Sequence, residues 1–171
     1  MLELPASAAL WFLPFVAPIC IWVAWNDMAH MKIPNKAVMA LFLVYLLVGP
    51  LALPLETWLW NWVNLVVVLA AGFLLNMAGG LGAGDAKFAA AAAPFVMPGD
   101  LDNLLLLFAA IVLASFVTHR AARAIPAVRR AFPDWVSWTH RKFPMGLPLG
   151  AMLLFYLGLA ALDGISPAAA G

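Results

Sequence analysis

"GGLGAGDAKFAA", residues 79–90, decides how this chain is arranged. It sets a carboxylate, Asp85, and a cation, Lys87, in a chain otherwise built for lipid, with Gly80, Gly82 and Gly84 leading into them. Of the 171 residues, 66% are hydrophobic and only 10% are charged. A soluble domain carries about 25% charged residues, so this composition indicates an integral membrane protein. If residues 86–97 form a short span, the chain crosses six times. If they form a loop, it crosses five.

A helix needs about 20 apolar residues to cross the hydrocarbon core. Six segments are candidates: Pro5–Trp25, Ala37–Leu55, Trp58–Ala78, Ala86–Met97, Leu104–Val117 and Met145–Leu162. The first three and the last are long enough unaided. The fourth, about a dozen residues, crosses only if protein surrounds it or if it starts inside the membrane plane. The fifth needs help from its flanks. The N-terminal run lacks a basic region and carries Glu3, so we read it as a retained first span rather than a cleaved signal.

Charge decides between five and six spans. Lys32, Lys36, Lys87, Arg120, Arg123, Arg129, Arg130, Arg141 and Lys142 are all nine basic residues. Alternating sides over six spans puts all of them on one face, which the positive-inside rule makes cytoplasmic. Glu3, Glu56, Asp100, Asp102 and Asp163 then fall outside, with both termini. Deleting the fourth span would put Arg120 to Lys142 outside and break the rule. The expected fold is therefore an all-α, polytopic membrane helix bundle of six transmembrane helices with a short fourth, one domain over residues 1–171.

Two carboxylates remain unexplained by that division, as Asp134 lies in the basic loop. Asp27 ends the first span and Asp85 starts the fourth, so both lie at the cytoplasmic mouth. Singly, each has an ordinary explanation, since an acid near an interface is tolerated and Asp85 can cap a helix. As a pair at one level they suggest an active site. Two like charges a few ångströms apart cannot both ionise, so one carboxyl keeps a proton. The ionised member can then activate a water, while the protonated one polarises a peptide carbonyl. The glycines ahead of Asp85 let an extended peptide approach the backbone there.

Other features are less demanding. Cys20, the single cysteine, excludes an internal disulfide and lies in an apolar run as a packing residue. His30, His119 and His140 lack metal-ligand spacing, so no metal is assigned. Asn61, Asn64 and Asn76 suit interhelical hydrogen bonds, with Asn76 near enough to the glycines to shape the site. Residues 119–142 mix arginines with Phe132, Trp135 and Trp138, as a basic segment on the inner leaflet would. Lys87 reads more simply as a topology marker that snorkels to the interface than as a group orienting Asp85. No basic run is dense enough to suggest nucleic acid.

The motifs sharpen this. "GAGD" with the following "AK" resembles the GxGD signature of the prepilin peptidases, intramembrane aspartic proteases. "NDMAHMKIPN", residues 26–35, is similar to that family's second signature, an Asp followed six residues later by Ile-Pro-Asn: here Asp27, Ile33, Pro34 and Asn35. "FPMGLPLGAML", from Phe143, resembles the family's Pro-x-Gly, with Pro144 and Gly146 matching. The resemblance implies hydrolysis of prepilin leader peptides at the cytoplasmic face of a bacterial inner membrane, without a cofactor. Asp27 and Asp85 would be catalytic, and Gly82, Gly84, Lys87, Ile33, Pro34, Asn35, Pro144 and Gly146 would shape the site or bind substrate.

Larger members carry a cytoplasmic domain with a cysteine-bound zinc, associated with N-methylation. About ten residues stand there in this chain. The resemblance is thus to the short, peptidase-only branch that serves tight-adherence (Flp-type) pili. Met28, Ala29 and His30 follow Asp27 where short members commonly have basic residues. Two readings from other classes compete: a small channel or transporter binding a cation at the two aspartates, and a non-catalytic pilus-assembly scaffold that docks partners on the basic loop.

Overall fold

The computed structural model describes residues 2–164. Every regular element among them is helical: α1 (Ala6–His30), α2 (Asn35–Ala52), α3 (Leu55–Met77), α4 (Ala83–Ala92), α5 (Leu101–Ala124), α6 (Pro126–Ala131) and α7 (Gly146–Asp163). Among the described residues, five helices are long and apolar enough to cross a membrane: α1, α2, α3, α7, and α5 together with the turn before it. Their outer faces are those of a protein in lipid. Leu47, Leu51, Trp60, Val66, Leu74, Leu106 and Leu113 are largely exposed, as side chains solvated by acyl chains rather than water would be.

The centre of the bundle is α1 against α7. Gly150 allows this approach, since a Cβ there would lie 2.8 Å from the Cys20 carbonyl oxygen. Small interfacial residues let membrane helices close in this way. Around that pair, Phe12, Tyr45 and Phe95 interlock with centroids 4.9–6.0 Å apart. The pair α2 and α3 is tied by reciprocal bonds: Tyr45 Oη donates to the Trp58 carbonyl and Trp58 Nε1 to the Tyr45 carbonyl.

The fourth segment is short as a helix but not as a connection. Its α4 is ten residues long, followed by 3-10 turns at Ala93–Phe95 and Pro98–Asp100. Pro94 and Pro98 explain the break, since neither has an N–H to continue an α-helical ladder. Asn61 Nδ2 donates to the Pro94 carbonyl at 3.1 Å, and Asn64 Nδ2 to Val96 at 3.1 Å. These are the interhelical bonds expected of the α3 asparagines, and they satisfy carbonyls that the broken helix leaves open. At the far end Asp100 accepts from the Glu3 and Leu4 amides. Between Asp85 and Asp100, therefore, the chain runs from the end of the bundle that holds Asp27 to the end that holds Leu4. The six crossings of the sequence reading rest on that segment; by length and composition alone, five helices qualify.

Several expected boundaries move; α1, for one, runs to His30 instead of ending at Trp25. The helix α5 extends well beyond Val117, because Thr118–Ala124 is rich in alanine and arginine, both good helix formers. It stops at Ile125, extended at φ −88°, ψ 113°, as the residue before a proline prefers. The expected loop from His119 accordingly begins as the last turns of α5 and then forms α6. Similarly, α4 starts at Ala83 rather than Ala86, so Asp85 lies inside the first turn.

Candidate active site

Three chain segments meet at the end of α1 that holds Asp27. The first is α1's last turn with the loop behind it. Met31 adopts a left-handed conformation (φ 54°, ψ 39°) and its amide closes the helix on the Asp27 carbonyl at 2.8 Å. This is the αL ending that usually falls to glycine or asparagine. Asn26 Nδ2 then donates to the Lys32 carbonyl at 2.6 Å, folding the loop back. Ile33 is thereby set at the mouth, Pro34 caps α2, and Asn35 is its first, exposed residue.

The second segment is the glycine stretch. Asn76 Nδ2 donates to the Leu81 carbonyl at 2.7 Å, and the Gly79 and Gly80 amides turn back onto the end of α3. Gly79 has φ +75°, a conformation open to glycine. The turn delivers Gly82 and Gly84 to two contacts. A Cβ on Gly84 would meet the Ile33 Cβ at 3.4 Å, and one on Gly82 would lie 2.5 Å from Asp85 Oδ2. The Asp85 carboxyl therefore folds back over Gly82, as an acid at the third position of a helix does. Asp85 is half-buried.

The third segment opens α7. The Gly146 amide, in the first turn and without an intrahelical acceptor, donates to Asp27 Oδ2 at 2.6 Å. Asp27 is buried, with 5% of its surface exposed, and Pro144 and Gly146 are buried beside it. The two carboxyls are close enough for the charge of Asp27 to act on Asp85, and the Lys142 ammonium acts on Asp85 as well.

The structure thus gathers Asp27, Ile33, Gly82, Gly84, Asp85 and Gly146 from stretches far apart in sequence. Pro34 stands directly before α2, and Pro144 two residues before α7. Lys87 is exposed on α4, where a topology marker would be. Sequence reading placed Lys142 only among the basic residues, with no relation to Asp85. The lysine's only local signal is its place two residues ahead of Pro144, in a loop crowded with other basic groups. Chemically, the arrangement offers one enclosed carboxyl already holding a backbone donor and one more open carboxyl behind a glycine-rich turn. Such a pair, in unlike surroundings, can divide acid and base roles.

Residues 14–119, more than half the chain and inclusive of both aspartates, match the model of the type IV leader peptidase family. The chain belongs to that family. Comparison with curated proteins and with solved structures returned no match. The family supports a prepilin peptidase-like function and implies a pilin-type substrate. The matched region stops before α7.

Proposed function

We propose that this leader peptidase family member is an intramembrane aspartic endopeptidase that removes the leader of Flp-type prepilins, with Asp27 and Asp85 as the catalytic dyad. The observation that carries the reading is the joining of both aspartates at one end of the bundle, each on a motif of the family and each against a motif glycine. In this reading the carboxyls share one proton at working pH. The ionised carboxyl takes a proton from water, and the resulting hydroxide attacks the scissile carbonyl, whose oxygen the protonated carboxyl polarises. A tetrahedral intermediate forms. It collapses as the C–N bond breaks, and a proton passes to the leaving amine.

The glycines at 82 and 84 leave backbone open beside Asp85 for an extended peptide, while Gly146 holds Asp27 in place. The chain crosses a bacterial inner membrane six times with both termini outside, so the mouth faces the cytoplasm, where a precursor leader would be presented. Basic residues gathered at that end support this orientation.

Co-expression with a candidate pilin precursor tests the proposal by the size of the product. Wild type converts precursor to mature pilin, while Asp27→Asn and Asp85→Asn each accumulate precursor despite normal membrane insertion. Normal processing by either single variant would sink the assignment.

A further inference from the structure

The segment after α5 forms α6 and the 3-10 turn at Val136–Trp138. It borders an open cavity of about 600 Å³ lined by Arg123, Arg129, Arg130, Asp134, Trp135 and Trp138, among others. Three guanidiniums face it against one carboxylate, and arginine stays charged throughout the biological pH range. The shell is held by aromatic packing rather than by chance proximity. Trp138 Nε1 donates to the Phe132 carbonyl at 2.8 Å. Trp135 stacks on Phe132 and Trp138 at 4.5 and 5.2 Å, and His119 of α5 stacks on Trp138 at 5.3 Å. Trp25 of α1 meets Phe132 and Trp135 edge-on, at 5.4 and 5.1 Å. A concave, net-cationic site of this size fits a phosphate-bearing anion.

Depth indicates which one. The lipid-facing apolar surface of α5 ends at Val117, which is 57% exposed. Arg123 lies roughly 9 Å further along the helix at 1.5 Å per residue, which puts it at the outer edge of a headgroup layer about 5–7.5 Å thick. Exposed Val136 lines the cavity and gives it an apolar edge. Basic pockets of this kind at the membrane surface bind anionic headgroups.

We infer that the cavity between α5, α6 and the Trp135–Trp138 turn binds the phosphate of an anionic phospholipid. The bound headgroup bridges arginines of α5 and α6 and holds the aromatic turn against Trp25, two residues before Asp27. The inference does not rest on the peptidase reading, and its readout is lipid binding alone.

The test titrates the full-length chain in neutral detergent with short-chain phosphatidylglycerol, short-chain phosphatidylcholine and inorganic phosphate, followed by native mass spectrometry. One phosphatidylglycerol binds saturably, at least tenfold more tightly than either other probe. The double variant Arg129→Gln/Arg130→Gln, on an exposed helix, binds it about thirtyfold more weakly, at the usual contribution of a basic residue near an anionic surface. The charge-matched pair Arg120→Gln/Arg141→Gln, outside the cavity, binds within threefold of wild type. Equal binding of phosphatidylcholine overturns the site, and equal binding of phosphate overturns the lipid as its source. Equal losses in the two double variants would reduce the effect to diffuse surface charge. The wild-type selectivity stands as a test even if a variant folds poorly.

Discussion

The Gly146 amide donates to Asp27 Oδ2 at 2.6 Å, and no side chain fits at 146. A Cβ there would lie 2.7 Å from the Asp27 Cβ and 3.0 Å from its Cγ. These atoms are the root of a short, buried side chain, so the aspartate can yield only by moving its carboxyl. Gly146→Ala should therefore cut precursor processing about a hundredfold, the scale of a 1 Å misplacement of a catalytic group. Overpacking should cost about 1–3 kcal/mol of stability besides. Gly158, on the same helix, has nothing within 4 Å of its Cβ position. Gly158→Ala should process at the wild-type rate, and a matching loss in that variant would trace the effect to α7 itself.

Gly82 tests the second carboxyl separately. Its backbone, φ −68° and ψ 143°, suits any residue, and it is exposed, so alanine costs little in folding. The added Cβ would nevertheless press on Asp85 Oδ2. Gly82→Ala should lower kcat for precursor cleavage by tenfold or more with a thermal midpoint within about 2 °C of wild type, as expected of surface substitutions near 0.5 kcal/mol. Gly80→Ala, whose nearest neighbour is at 3.6 Å, serves as its partner and should leave kcat unchanged.

The residues explain why sequence reading reached the helices but not the contacts between them. Apolar runs in α1, α2, α3 and α7 announce themselves because a membrane span must satisfy its own backbone and face lipid. Asp27 and Asp85 stood out because the charge topology puts them as a pair at one level of the bundle, where neither belongs to the outer acids or the basic loop. What escaped were pairings with no local signature. The bond from Gly146 to Asp27 joins positions 119 residues apart, and Asp100, counted with the outer acids, proves to be almost fully buried. The ends of α5 and the existence of α6 were hidden for another reason. There the apolar run stops, but alanine and arginine keep the helix going.

Lys142 and Lys87 stand differently toward Asp85. Lys142 acts electrostatically on Asp85, while Lys87 is exposed on α4. Two charges about 10 Å apart interact by on the order of 1–2 kcal/mol at the effective dielectric of a protein surface. Lys142→Gln should accordingly change cleavage up to about tenfold and flatten its dependence on ionic strength, whereas Lys87→Gln should stay within twofold. Initial rates at low and high salt check both. A salt dependence unchanged by Lys142→Gln would exclude its charge from the site.

At the opposite end, Asp100 ties three parts of the chain together. Its carboxylate accepts from the Glu3 amide at 2.7 Å, the Leu4 amide at 3.3 Å and Tyr156 Oη at 2.6 Å, and the Met97 amide donates to that same Tyr156 oxygen at 3.2 Å. The start of α1, the turn into α5 and the middle of α7 are thus joined where the broken fourth segment ends. Asp100→Ala strands several buried donors at once. Each buried donor left unpaired costs about 1–3 kcal/mol, so the variant should lose at least about 3 kcal/mol. Tyr156→Phe removes one charged-acceptor bond and should lose about 1.5–3 kcal/mol. Leu4 and Asp27 are separated by roughly 35 Å of α1 at 1.5 Å per residue. The molecules that remain folded should therefore cleave precursor at the wild-type rate. Thermal unfolding in detergent, set beside activity per folded molecule, checks the separation. Full stability with lost activity in Asp100→Ala would make this cluster part of the catalytic apparatus instead of a clamp.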